Sequence, residues 1–134
     1  MFRRMSDSPD DINALADRLV DAIEAGDVEG VAAIYADDAV IWHNTDRVEQ
    51  PKVDNLAVLG WLVRNTASRE YREIRRSVID GGFVQQHVLH VEFADGRSSD
   101  LPACLVVQVA GDRIIRLDEY LDGAAVAATF GPAR

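Results

Sequence analysis

Apolar positions along the chain follow two rhythms, and the change from one to the other divides the sequence. "DDINALADRLVDAIEAG" spaces Ile12, Leu15, Leu19 and Ile23 three or four residues apart, one stripe of an amphipathic helix. Gly26 supplies a stop, and Asp27 can cap a second, short helix, "VEGVAAIYA". "DAVIWHN" sets Val40, Ile41 and Trp42 in sequence and predicts a strand, and Thr45 to Pro51 predicts a loop. "VDNLAVLGWLVRNTA" predicts a third helix with Leu56, Leu59 and Val63 on one side. From Arg69 the period becomes two. "REYREIRRSVID", "FVQQHVLHVEF", "DLPACLVVQVA" and "RIIRLDEYLD" predict four strands, separated by Gly81-Gly82, Ala94-Asp95-Gly96 and Gly111-Asp112. "GAAVAATF" predicts a terminal helical turn. This order implies an α+β domain whose mixed, curved sheet wraps around N-terminal helices. Residues 1–9 are polar and are expected to be disordered, with residues 10–130 forming one domain.

Two of the strands carry polar groups where a core strand needs none. In the second, Phe83, Gln85, His87, Leu89, Val91 and Phe93 alternate with Val84, Gln86, Val88, His90 and Glu92. Strict alternation sends His87 and His90 to opposite faces, so they cannot share a metal. The first face is the more apolar, so His87 is expected inside and His90, beside Glu92, outside. In the last strand Ile115, Leu117, Glu119 and Leu121 predict an apolar face bearing one carboxylate, opposite Arg116, Asp118, Tyr120 and Asp122. A carboxylate on an apolar face is costly unless paired or neutralised, and His87 is the expected partner. If Glu119 is ionised, it raises the His87 pKa; if burial keeps it protonated, it becomes a hydrogen-bond donor or general acid. A core histidine satisfied by a carboxylate gives the same pattern without chemistry. In the first strand Trp42 and Asn44 share a face and His43 takes the other. Trp42 is expected as core or pocket wall and Asn44 as a polar contact at its mouth, with His43 kept as an alternative because a one-residue slip exchanges the faces.

Composition narrows the picture. The chain of 134 residues is about one domain's worth and can bury a core without staples. Its single cysteine, Cys104, sits among apolar residues and reads as a buried thiol. No Cys/His grouping has zinc spacing, so no metal is expected. A net charge of −9 argues against nucleic acid as a partner. The run from Arg69 to Arg76 is the local exception and reads as the solvated side of a strand. The start, "MFRRMSDSPDD", lacks the apolar core of a secretory signal, and no apolar run is long enough to span a membrane, so a cytoplasmic location is expected.

"AIEAGDVEGVAAIYADDAVIWHN" resembles the opening of nuclear transport factor 2-like domains, in its "AGD" turn and the "YADDAV" lead into the first strand. "LPACLVVQVAGDRIIRLDEYLD" resembles their final hairpin, and the resemblance runs from about Ile12 to Phe130. It implies a cone-shaped α+β barrel with a hydrophobic pocket between sheet and helices. The fold is shared by ketosteroid isomerases, scytalone dehydratases, limonene epoxide hydrolases, SnoaL-like polyketide cyclases and non-enzymatic domains. The isomerase base falls on His43, while the oxyanion pair falls on Leu19 and about Leu105. The epoxide hydrolase pair falls on His87 and Leu89, with its carboxylate on Glu119 and its Tyr-x-Asn on Trp42 and Asn44. The dehydratase histidine falls on His87 and its acid on Glu24. The resemblance therefore implies a cofactor-independent lyase, isomerase, cyclase or hydrolase. His87, Glu119 and Glu24 would be catalytic by general acid–base chemistry, and Trp42, His43, Asn44, Gln85 and Leu89 would line a site for a small, largely apolar molecule. The alternative is a non-catalytic ligand-binding or dimeric accessory domain. Family members pair through the open sheet face, and apolar residues on both faces of "LPACLVVQVA" point to a homodimer.

Overall fold

The computed structural model describes residues 8–131. Helix α1, Pro9–Ala25, opens on Ser8, whose side chain accepts from the Asp11 N–H, and closes on Gly26 in the left-handed region. The expected disorder of residues 1–9 therefore lies outside the described residues, except at Ser8 and Pro9, which cap and begin the helix. Asp27 caps α2, Val28–Ile34, through the Gly30 N–H. Strand β1, Tyr35–His43, follows directly, and the segment expected as a loop contains a short strand β2, Glu49–Pro51. Helix α3 spans Lys52–Asn65. Strands β3 (Ser68–Ile79), β4 (Gly82–Glu92), β5 (Ser98–Ala110) and β6 (Arg113–Leu121) complete the sheet, and α4, Gly123–Phe130, is a full helix where a turn was expected.

The six strands lie in the order β2-β1-β6-β5-β4-β3. β1 runs parallel to β6 and every other pair is antiparallel, so the sheet is mixed. One face is covered by the helices, with α1 over β3 and β4 and α3 over β1. Between them lies the core of Ile12, Leu15, Leu19, Val31, Phe83 and Val107, all nearly inaccessible to water. Each such side chain contributes about 1.5–3 kcal/mol on burial. Gly82 lets β4 and β5 approach: an added Cβ would collide with the Val107 carbonyl oxygen.

Two bulges decide which residues face this core. Between Arg72 and Arg75 the β3–β4 register shifts, with Glu73 in the left-handed region. Between Gln108 and Val109 the β5–β6 register shifts, so Ile114 is buried and Ile115 is exposed. The inward face of β6 is thus Ile114, Leu117, Glu119 and Leu121, a correction to the expected alternation, in which Ile115 pointed in. A bulge inserts one residue and reverses the parity beyond it.

Candidate active site

The inner face of the sheet carries a continuous row across five strands: His43, Glu119, Leu105, Gln85 and Arg76 are successive register partners. The next row toward the sheet's far end is Leu121, Ala103 and His87, and the one beyond it is Leu101, Leu89 and Tyr71. Four of the expected site residues, His87, Glu119, Gln85 and Leu89, therefore share this face, and His43 joins them.

Glu119 does not pair with His87. Its Oε1 lies 3.1 Å from His43 Nε2, both side chains about one-fifth exposed. Register explains the choice: in the parallel β1–β6 ladder the two residues are direct neighbours, whereas Leu105 and Ala103 of β5 stand between Glu119 and His87. Burial pulls the His43 pKa down, but the hydrogen bond to Glu119 and the charges of Glu119 and Asp46 outweigh it, so the net shift is upward.

His87 is 4% exposed and takes a different partner. Its Nδ1 lies 3.0 Å from Gln85 Nε2, while the Gln85 Oε1 accepts from Arg76 Nε at 2.9 Å. Arg76 in turn pairs with Asp17 on α1 at 2.8 Å. His87 Nε2 is buried and has no hydrogen-bond partner among the described residues. Burial lowers the His87 pKa, and the charge of Glu119, close enough to act on the ring, opposes it. The Tyr71 ring lies tilted against the imidazole, centroids 4.6 Å apart. Burial, with Glu119, Tyr35 and Glu24 adding, pushes the Tyr71 phenol well above its ordinary value.

The remaining expected residues stand elsewhere or are occupied. Trp42 points to the opposite face of the sheet, where its ring meets Tyr120 edge-on at 5.3 Å. Ala39, Ile41 and His43 have the inward parity instead. Trp42 therefore stands apart from the Glu119 face, a correction to its expected place beside Asn44. Asn44 clamps the last strand: it donates to the Leu121 carbonyl at 2.9 Å and accepts from the Leu121 N–H at 2.8 Å. Glu24 accepts the Tyr71 backbone N–H at 2.8 Å, tying α1 to β3. His90 faces outward to Asp100 and Glu92. Cys104 is free and half-buried on the outer face, in register with Gln86 and Tyr120, rather than in the core.

Tyr71 and Arg76 belong to this face although the sequence pattern does not single them out. Alternation alone puts Arg76 on a solvated side, yet only a tenth of its side chain is exposed. Arg69 likewise turns in and donates to the Ile23 and Glu24 carbonyls at the end of α1. An open groove of about 850 Å³ lies against Gln86, Val88, Pro102, Cys104 and Tyr120, with His87, Ala103 and Leu121 also on its lining. The first five have the outward parity of β4, β5 and β6, so the recess lies chiefly on the sheet's outer face but reaches the inner-face row that holds His87. Among the described residues no group of three His, Cys, Asp or Glu side chains could hold a metal ion, and no helix is long and apolar enough to cross a membrane.

Comparison with solved structures agrees with this architecture. A candidate polyketide cyclase from Xanthomonas campestris superposes with a TM-score of 0.76 at 19% identity, covering 87% of this chain and 94% of that one. AclR, a candidate hydroxylase from Streptomyces galilaeus, gives 0.79 at 11% identity, covering 92% and 98%. A Catenulispora acidiphila protein with a ketosteroid isomerase-like fold, solved with trimethylamine, gives 0.74 at 9% identity, covering 89% and 93%. A search of curated proteins found no match. At these identities the likeness establishes the fold. The family model for SnoaL-like domains matches residues 16–117, from the middle of α1 into β6, and the chain belongs to that SnoaL-like family.

Proposed function

We propose that the chain is a cofactor-independent enzyme that moves a proton on a small, largely apolar, oxygen-bearing molecule held on the inner face of the sheet. The observation that carries this reading is the His43–Glu119 pair at 3.1 Å on the same face as the unpartnered Nε2 of His87. His43, whose pKa is raised by Glu119 against the pull of burial, can hold a proton and pass it on, and Glu119 orients the ring and steadies the imidazolium. A buried hydrogen-bond donor without a protein partner is costly unless something meets it, which favours a ligand oxygen at His87. The surrounding Leu89, Leu101, Leu121 and Tyr71 suit an apolar skeleton. Dehydration, isomerisation, cyclisation and hydrolysis all fit one proton-transfer centre in such surroundings. Several similar structures carry the description polyketide cyclase, which makes aromatic polyketides the first compounds to try.

The test is a panel of aromatic polyketides, steroid enones and terpenoids incubated with the protein and followed by mass spectrometry. His43→Asn and Glu119→Gln should each reduce turnover roughly a hundredfold, the usual contribution of an acid–base group, while Trp42→Phe on the opposite face leaves it intact. Full turnover in both His43→Asn and Glu119→Gln overturns the assignment.

The outer-face groove favours a second property, compatible with the first: pairing with another copy of this chain. Val88, Pro102, Cys104 and Tyr120 give that face an apolar character, with Tyr120 46% exposed and Ile115 exposed beyond it. A self-complementary contact across this face would cover them.

A further inference from the structure

Arg76 and Gln85 are arranged so that only one protonation state of His87 is compatible with them. A guanidinium has no acceptor and does not lose its proton in proteins. The Arg76 Nε–H therefore must donate, and the Gln85 Oε1, at 2.9 Å, is what receives it. That contact fixes which end of the Gln85 amide faces β3. The other end, an NH2 that can only donate, then faces His87 Nδ1 at 3.0 Å. Nδ1 must be the bare, accepting nitrogen, and the single ring proton sits on Nε2. Protonating Nδ1 sets donor against donor at His87, and rotating the Gln85 amide moves the same clash to Arg76.

The arrangement is held from both ends and kept from water. Gln85 is 1% exposed and His87 4%. Arg76 is anchored by Asp17 at 2.8 Å and by the carbonyl and side-chain oxygens of Asn13 at 3.3 and 3.4 Å, all on α1. Its guanidinium also lies over the Phe83 ring at 5.8 Å. The groups facing His87 from other strands are Tyr71 of β3 and Glu119 of β6. Glu119 is already engaged by His43 and makes no hydrogen bond to His87.

We propose that Arg76 and Gln85 are positioning residues that hold His87 as a neutral imidazole with a fixed Nε2–H donor, and that this donor recognises a carbonyl or enolate oxygen of the ligand. The second half rests on the inner face being the ligand site, while the first half does not. The division of labour follows: His43 with Glu119 transfers the proton, and His87 stays neutral and donates to the oxygen on which negative charge gathers. A neutral donor in a dry site serves that purpose without reorganising as charge develops. The ligand class narrows from small, largely apolar and oxygen-bearing to small, largely apolar and carbonyl-bearing.

The test needs no substrate. Protein labelled with 15N-histidine is examined by long-range 1H–15N correlation between about pH 5.5 and about pH 8, a range that spans free imidazole's titration. The His87 signals are identified by their loss in His87→Asn. In the wild type His87 should show an acceptor-type Nδ1 and a protonated Nε2 throughout, without titrating. Gln85→Glu turns the amide's donor end into an acceptor and keeps a partner for Arg76, so Nδ1 should gain a proton and His87 should charge. Arg76→Met releases the amide and should give mixed tautomers, whereas Arg76→Lys retains a donor to Gln85 and should restore the wild-type pattern. A simple packing role for Arg76 would not distinguish Lys from Met in this way. If Arg76→Met does not fold, Gln85→Glu alone decides. A wild-type His87 protonated on Nδ1, or an unchanged pattern in Gln85→Glu, overturns the proposal. A wild type that behaves as expected but turns over none of the panel compounds leaves the positioning of His87 standing and counts against the enzymatic reading alone.

Discussion

Replacing Glu119 by Gln should destabilise the protein more in acid than in mild base. His43 and Glu119 lie 3.1 Å apart with 18% and 20% of their side chains exposed, so solvent screens the pair only in part. A hydrogen bond to a charged group contributes about 1.5–3 kcal/mol and a neutral one about 0.5–1.5 kcal/mol. The amide introduced by Glu119→Gln keeps a neutral acceptor for the imidazole, so the variant loses the difference, about 1 kcal/mol. The sign with pH follows from His43. Its folded pKa is raised, through the hydrogen bond and charge of Glu119 working against burial. Its contribution is therefore fully present below the unfolded imidazole value of about 6.5 and is lost as pH rises through the folded value. In Glu119→Gln burial remains and the raising partner is gone, so the variant weakens as pH falls. Urea unfolding followed by the fluorescence of Trp42 and Trp61 reads this directly. With a slope of about 1–3 kcal/mol per molar urea, the midpoint should drop by roughly 0.3–1 M near pH 5.5 and by clearly less near pH 8, where the neutral imidazole keeps only its hydrogen bond to the carboxylate. An equal drop at both pH values would refute a charged His43–Glu119 pair.

Gly82→Ala should unfold the protein or lower its melting temperature by many degrees, since the new methyl would meet the Val107 carbonyl oxygen in the strand ladder; a melt within a few degrees of wild type contradicts the β4–β5 spacing. Asn44→Ala removes both hydrogen bonds to the Leu121 backbone and should cost about 1–3 kcal/mol in urea unfolding, and Asn44→Asp, which still accepts from the Leu121 N–H, should recover part of it. Light scattering at micromolar concentration should report a dimer, and Tyr120→Lys on the outer face should shift it toward monomer; a monomeric wild type refutes the proposed pairing.

Much of the fold was legible because local signals agreed with one another. The stripe of Ile12, Leu15 and Leu19 is buried as its spacing implies, and Asp27 and Gly26 cap as their chemistry implies. The four long strands and their Gly turns also follow from period two and positive-φ positions such as Gly81, Gly96 and Gly111. β2 escaped notice because three residues, one of them Pro51, carry no periodic signal. α4 was underestimated because no residue in it is buried, leaving no polar–apolar contrast to read.

The site was legible only as far as parity was preserved. On β4, where pairing runs unbroken from Gly82 to Glu92, alternation placed His87 and Gln85 inside. On β3, Tyr71 and Arg76 are five residues apart and yet share the inner face, which period two forbids without the bulge at Glu73. Arg76 looked like one of several solvated arginines for that reason. Trp42 misled in another way: its size argued for burial, but the outer face offers Tyr120, and an aromatic pair there removes apolar area without entering the core. The partner of Glu119 was the hardest to read. A carboxylate on an apolar face demands a partner, and alternation put only His87 inside, with His43 reachable only through a one-residue slip in the first strand. Finding His43 instead required knowing that β1 joins the sheet parallel to β6, a long-range pairing that sets His43 opposite Glu119. With Glu119 taken by His43, His87 had to be satisfied along its own strand. The Gln85 two residues away on the same face did so, leaving Nε2 as the free end of the imidazole.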